Sequence, residues 1–484
     1  MDQAGKGQTN QSNVDGLVTS KTVDAAEGVK EKSLGEAIDA PPSTTDGEIF
    51  FKLYKRRWLG IFLILFLNIS SQINWLTFGP VAALVVEYYN IDYNALNWLS
   101  NVYAVTYVVT SGAIGWSFDK FGIRWSLVVG ALLNLLGAWL RYFAVFVTNN
   151  SSGRFALTMF GQFVAALAAP YFLNMPTKYV ALWFGEKERA IGNMIGSSPI
   201  GLAIVMPLIP TLAPDVDHIP FALLVTSIIS TVLFLPTLFV TSTPLIPPSI
   251  IASSPPLPFF TGLRQIANNI NFWILLVVFS FYLGLSTAFS TLLNQFLTPY
   301  GYTNDQAGIV GLLWTLVGCL GAVVITPFFR RSAVMQISVK IMMSLLGVMY
   351  IVLLFVVHEN NLPAIAAVSS VLGLLVIVPL ALVLELGAEC SYPTSPSISA
   401  SACWGGGQLM GVIFTVIMTQ LIYPSGSATF DPRPALVFQA CVGAVSGIVI
   451  WAFRSKSLRE METQKVKEDT LMVEKERQDA SSKV

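Results

Sequence analysis

Charge is what this chain has least of. Only 12% of its 484 residues are Asp, Glu, Lys or Arg, about half the ~25% share of an ordinary soluble domain. Most of that charge sits at the ends. Residues 1–57 carry 8 basic and 9 acidic residues, and residues 454–484 carry 8 and 7. That leaves 12 of each sign for the 396 positions between. No water-soluble fold keeps so little charge over such a length. A soluble enzyme, a nucleic-acid binder and a disordered scaffold are therefore excluded. Cysteine is scarce too, with 4 residues (Cys319, Cys390, Cys403, Cys441) and no C-x-x-C spacing, which argues against a zinc site or a disulfide framework. There is no basic stripe for nucleic acid. No nucleophile–base pairing or metal cluster is visible, so neither an enzyme nor a cofactor is expected. The N-terminus lacks a charged region followed by an early apolar stretch, so no cleavable signal peptide is expected.

What the chain has instead is apolar length. It is 54% hydrophobic, with a mean hydropathy of +0.64. A bilayer offers the backbone no hydrogen-bonding partners, so only helices or a closed barrel can cross it. The charge-free runs are near or above the ~20 residues a spanning helix needs, whereas a barrel would show alternating stretches of ~10. Twelve spans are expected, near 58–86, 96–118, 125–147, 156–182, 190–212, 219–241, 271–298, 306–328, 335–357, 364–388, 399–423 and 435–453. Six prolines between Pro244 and Pro258 break the series in two, because proline cannot continue a helix. The expected organisation is a disordered tail (1–54), a six-helix bundle (55–241), a linker (242–270), a second six-helix bundle (271–453) and a second disordered tail (454–484). Lys and Arg collect in the loops on the side of the tails (Lys120, Arg124, Lys187, Arg189, Arg264, Arg330, Arg331). The other side holds Arg154 and Arg433, with Arg141 placed near a helix end. By the positive-inside rule both tails are cytosolic. Two overlapping N-x-S sequons, at Asn149 and Asn150, fall on the outer side, where glycosylation is expected.

Two sets of six spans with cytosolic ends resemble the major facilitator architecture. That resemblance implies halves related by an axis along the membrane normal and a substrate near the midplane between them. The loop after the second span reads Gly115-Trp-Ser-Phe-Asp119-Lys120-Phe-Gly122-Ile-Arg124 and resembles that superfamily's signature. Gly115 would let helices approach, Asp119 would pair with cations, and Gly122 suits a tight turn. The group is expected to latch one conformation and release in another. The equivalent stretch ending Phe329-Arg330-Arg331 lacks the Asp.

Longer blocks carry a closer resemblance. They are Lys55-Arg56-Arg57, Trp75, Asn97-Trp98-Leu99-Ser100, Leu136-Gly137-Ala138-Trp139, Leu182-Trp183-Phe184-Gly185-Glu186, Ser290-Thr291-Leu292-Leu293-Asn294-Gln295 and Glu385-x-x-x-Glu389-x-x-Tyr392-Pro393. Together they look like the feline leukaemia virus subgroup C receptor-related family, over about 54–455. The resemblance implies facilitative transport of small organic solutes, with choline, ethanolamine and heme as proposed cargoes. In choline-carrying members a Trp, a Tyr and two Gln surround the ammonium group. Here the Trp matches Trp75 and one Gln matches Gln408. The Tyr position falls on Thr287. The other Gln position falls near Ala169, with Gln162 two turns away. Heme iron would want His, Cys, Met or Tyr; the two histidines, His218 and His358, lie on the outer rim.

Intramembrane polar residues usually face a bundle interior or a cavity. On that ground the expected substrate contacts are Gln72, Asn74, Trp75, Gln162, Thr287, Asn294, Gln295, Trp404 and Gln408. Interhelical hydrogen bonding is the competing reading for each amide. Glu385 and Glu389 lie one turn apart, where like charges repel. A cationic partner and a role as a conformational latch are expected of them. The resulting expectation is a uniporter for a neutral or weakly cationic metabolite, with a heme or porphyrin exporter and a non-transporting receptor as alternatives. It would act as a monomer in the plasma membrane, or in a vacuolar or lysosomal one. Its partners are the bilayer and a small-molecule substrate, and no nucleic acid.

Overall fold

The computed structural model describes residues 53–454, apart from 148–149, 186–187, 242–243, 245–263, 330–331, 392–395 and 425–429. Apolar sequence in a bilayer leaves the helix as the way to satisfy the backbone, and the described residues form helices throughout, with no strand. In the first half these are α1 (Arg56–Leu76), α2 (Ala82–Tyr89), α3 (Tyr93–Phe143), α4 (Ser151–Ala166), α5 (Ala169–Trp183), α6 (Arg189–Gly196), α7 (Ile200–Leu212) and α8 (Ile219–Phe234). The second half has α9 (Ile270–Leu297), α10 (Asn304–Ile325), α11 (Ser332–Val356), α12 (Leu362–Cys390), α13 (Pro396–Ile422) and α14 (Arg433–Val449).

Eleven helical stretches among the described residues are long and apolar enough to cross a bilayer. The first limb of α3 is not among them, since it carries Asn97, Ser100, Asn101, Thr106, Thr110 and Ser111. It is helical nonetheless. The second and third expected spans run together in α3, bent at Gly122, whose φ of 73° is a left-handed conformation open to glycine. Arg124, just past this bend, donates to the Leu238 carbonyl at 3.1 Å and so ties the turn to the last span of its own half.

Three spans of the first half are interrupted, and the breaks have local causes. α1 stops before Gly79-Pro80 and resumes as α2. α4 and α5 are separated at Leu167 and Ala168. α6 ends at Ser197, and Pro199, which has no N–H to continue the ladder, opens α7. In the second half each span is a single helix. Gly405, Gly406 and Gly407, expected to permit bending or close packing, stay helical within α13. Two of them admit α9: a Cβ on Gly406 would collide with Ser280, and one on Gly407 with Leu283. The α9–α13 seam is therefore a close-packed wall of the second half.

The buried residues of both halves join in one large apolar cluster. Its inter-half part lies toward the face opposite the chain ends, here called the far face; the other is the tail face. The outward residues are large and apolar, among them Phe66, Val109, Leu136, Phe239, Leu320 and Phe355, as lipid contact requires.

Candidate transport site

The site is defined by where the halves touch and where they stop touching. At the far face Tyr93 of α3 stacks on Tyr423, with ring centroids 4.1 Å apart and planes 5° apart. Phe430 meets both rings edge-on. One layer inward, Gln420 donates to Asn94 Oδ1 at 2.9 Å. Asn97 donates to Thr419 Oγ1 at 2.8 Å and exchanges hydrogen bonds with Gln295 at 3.2 and 2.7 Å. Asn294 donates to the Pro80 carbonyl at 2.9 Å and to Asn304 Oδ1 at 2.9 Å. These contacts join α3 to α13 and the α1–α2 break to α9. They close the far face.

One helical turn further toward the tail face the pattern changes. α3 and α13 run antiparallel, so Asn101 follows Asn97 while Thr415 precedes Thr419. Both are buried. Asn101 makes no side-chain hydrogen bond to a described residue, and Thr415 Oγ1 has no partner. On the other bank, a Cβ on Gly79 would lie 3.4 Å from the Thr291 carbonyl. Trp75 and Thr287 each lie four residues back from that contact, Trp75 in the last turn of α1 and Thr287 within α9. Thr287 lies beside Gly411, within 3.1 Å of where a Cβ would be, and Gln408 is one turn from Gly411. Trp75, Thr287 and Gln408 are half-buried. Neither the Thr287 nor the Gln408 side chain bonds to a described residue. Polar groups are saturated at the far-face closure and unsaturated just inside it. Buried polar groups in proteins are nearly always bonded, so the unbonded side chains of Asn101 and Thr415, with the Tyr103 hydroxyl beside Trp75, mark a place where something else can bind.

Trp75 itself is fixed. Its Nε1 donates to the Ser100 carbonyl at 3.2 Å, and its ring packs against Tyr103, Ala165, Ala166 and Ala169. Trp404, one turn from Gln408, is half-buried and meets Phe279 edge-on at 6.4 Å.

The other expected contacts have protein partners. Gln72 donates to the Ser198 carbonyl at 3.2 Å, and Asn68, one turn earlier, donates to the Gly196 carbonyl at 3.3 Å. This pair holds the α6–α7 break. Asn294 and Gln295 belong to the far-face closure described above. Asn74 and Gln162 surround Arg141. As expected, Arg141 lies near a helix end, in the last turn of α3. It is 0% exposed inside the first bundle. Its Nη1 donates to the Asn74 carbonyl at 2.9 Å, Gln162 Oε1 at 2.9 Å and Thr77 Oγ1 at 3.3 Å, and its Nη2 donates to Asn74 Oδ1. The first bundle thus contains a buried positive charge, which its place near a helix end did not reveal. Asn101 and Thr415 were missed for a related reason. Single polar residues in apolar helices carry no phase until a partner helix is known.

Of the signature loop, Gly122 and Arg124 are placed above, and Lys120 lies 5.7 Å from the Phe121 ring. The side chains of Gly115 and Asp119 lie outside the described residues, as does Asn149. Asn150 is exposed and caps α4, its Oδ1 accepting from the Gly153 N–H at 3.0 Å. Glu385 is exposed and Glu389 half-buried near the tail-face end of α12. On the same face Arg57 pairs with Glu188 at 2.8 Å, within the first half. At the far face Asp215 caps the short turn before α8 and contacts His218 Nδ1 at 2.7 Å. The His218 hydrogen bond holds the Asp215 carboxyl below its usual range.

Residues 64–391 match the Major Facilitator Superfamily. Solute carrier family 49 member A3 of Danio rerio is 33% identical over 402 residues, covering 81% of this chain and 84% of that one. The chain belongs to that superfamily and to solute carrier family 49. A second relative, the Homo sapiens choline/ethanolamine transporter FLVCR2, is 26% identical over 451 residues, covering 90% of this chain and 84% of its own. Among solved structures, a D-xylose–proton symporter superposes with a TM-score of 0.62 at 12% identity, over 83% of this chain and 98% of that one. The nucleoside transporter NupG superposes with a TM-score of 0.61 at 16% identity, over 82% and 100%. At such identities these two speak for the fold. The family-49 chain is therefore an integral, multi-pass membrane transporter of small solutes and not an enzyme.

Proposed function

We propose that this transporter moves a small neutral or weakly cationic organic solute by alternating access, as a uniporter, with choline-sized amino alcohols the first candidates. One observation carries the reading: just inside the far-face closure Asn101, Thr287, Gln408 and Thr415, on helices α3, α9 and α13, make no side-chain hydrogen bond to a described residue. An indole face attracts an ammonium or an apolar body. The amides and hydroxyls bond a polar end without imposing a charge. The name of the human relative, a choline/ethanolamine transporter, supports the same cargo class. Thr287 replaces the tyrosine of the resembled cage, so the site offers one aromatic wall rather than two and favours a smaller or less charged body. Both histidines lie in far-face loops, away from the seam, which leaves a porphyrin without an imidazole ligand there.

The tails face the cytosol and the far face is outward, so the closed far face corresponds to an inward-facing or occluded state. Rocking of α1–α8 against α9–α14 then breaks the Tyr93–Tyr423 closure and exposes the site outward. Glu385 and Glu389, with the loop around Asp119, latch the tail face in the other state. The protein acts as a monomer in the plasma membrane, glycosylated near Asn150.

Uptake of radiolabelled choline and ethanolamine into proteoliposomes tests this. Trp75→Ala and Gln408→Ala should each cut uptake about tenfold or more at low substrate. Unchanged uptake in both variants would remove the site. Loss of uptake on dissipating a pH gradient would remove the uniport mechanism.

A further inference from the structure

We propose that Arg141 is a positioning residue that clamps the broken end of α1 and so sets the Trp75 indole for substrate. This rests on Trp75 belonging to the transport site. A helix that stops at Leu76 leaves its last carbonyls without intrahelical donors. Inside a bilayer no water replaces them. The Thr77 hydroxyl, just past the helix end, donates to the Ile73 carbonyl at 2.7 Å and the Asn74 carbonyl at 3.3 Å, and two other helices supply further donors. Arg141 Nη1 bonds the Asn74 carbonyl at 2.9 Å. Gln162 Nε2 bonds that same carbonyl at 3.1 Å and the Trp75 carbonyl at 3.3 Å. Arg141 also bonds Gln162 Oε1, which orients the amide so that its NH2 faces α1. The guanidinium therefore acts on Trp75 through Gln162 as well as through the neighbouring Asn74.

The charge has a physical use at this place. No carboxylate pairs with Arg141 among the described residues. The carbonyl end of α1 carries the negative end of a helix dipole, which a buried cation complements. The Phe78 ring, 5.9 Å from the guanidinium carbon, adds a cation–π contact. Space for the side chain is reserved by Gly161, where a Cβ would stand 2.9 Å from Arg141 Cγ. Arginine suits the task better than lysine, because a planar fork reaches Asn74, Thr77 and Gln162 together while an ammonium is a single point. The clamp and the Ser100 carbonyl hold Trp75 at both its backbone and its indole nitrogen. Held at these two points, the indole keeps one orientation.

Full-length Arg141→Gln, Arg141→Lys and Gln162→Met proteins, reconstituted in liposomes, test the clamp by two readouts. Hydrogen exchange of the segment 74–82 should accelerate about tenfold in Arg141→Gln and Gln162→Met, with α11 unchanged. Half-saturation for choline should rise about tenfold while the maximal rate per transporter changes less than about twofold. Arg141→Lys should fall between. If Arg141→Gln does not fold, Gln162→Met carries both readouts. Exchange that stays at the wild-type rate overturns the clamp. Faster exchange with an unchanged half-saturation, or a lost maximal rate at constant half-saturation, overturns its role in positioning Trp75. If the wild-type chain does not carry choline, the cargo reading fails and the exchange readout alone decides the clamp.

Discussion

Asn97→Leu is expected to open the far face. The wild-type amide makes three hydrogen bonds across the seam, two with Gln295 and one to Thr419. Interhelical hydrogen bonds in a bilayer are worth about 0.6 kcal/mol each, so their loss is worth about 2 kcal/mol. Gln295 and Thr419 are 1% exposed each, so in the closed state their freed groups find no water, while separation of the halves would hydrate them. The closed state alone bears the penalty. At about 1.4 kcal/mol per factor of ten, the balance moves some 30-fold toward the open far face. Pulsed electron–electron distance measurement reads this directly. Spin labels replace Glu87 on α2 and Asp305 on α10, both exposed, in a background where the 4 cysteines are replaced. A longer-distance population should grow in Asn97→Leu. Adding Gln295→Leu and Thr419→Val should shrink it again, since a seam with no polar groups has none to leave unbonded. The reasoning is refuted if the single variant keeps the wild-type distance distribution, or if the triple variant opens further than the single one.

Three further outcomes are expected. Asn101→Leu and Thr415→Val should each raise half-saturation for uptake about three- to tenfold without lowering the melting midpoint; a higher midpoint with unchanged uptake would make them packing residues. Gly373→Ala would drive a Cβ into the Trp314 carbonyl where α10 and α12 meet, and should cost about 1–3 kcal/mol of stability, read as a lower melting midpoint in detergent. An unchanged midpoint would show slack between these backbones. Asp215, held below its usual range by His218, contributes stability above the ordinary carboxylate pKa. That contribution is lost as pH falls through its lower folded value. Asp215→Asn should therefore melt earlier than wild type near pH 6, and the difference should close below about pH 4. A gap that persists in acid would assign the effect to the cap alone.

Eleven of the twelve expected spans and the glycine turn at Gly122 were legible from charge spacing and one motif. These features are local: a charge resists the bilayer, a proline ends a helix and glycine permits a left-handed turn, whatever the neighbours. The fifth span was expected as one helix over 190–212, and the structure divides it at Pro199. Partnership was not legible. Gln72, Asn74, Gln162, Asn294 and Gln295 looked like the lining of a cavity, and the amide of each is equally suited to glue. Packing placed the first three against breaks in α1 and at α6–α7, and the last two in the far-face closure. Arg141 shows the limit most plainly. Its sequence position shows an arginine near a helix end, and only the approach of α1 and α4, with their free carbonyl and amide oxygens, turns it into a buried clamp. The sequence by itself determined the solvent, the placing of the apolar helices and the scarcity of charge. The tertiary structure decided which polar groups are already bonded and which are left open near Trp75, because hydrogen-bond saturation is a property of pairs of helices and not of any one of them.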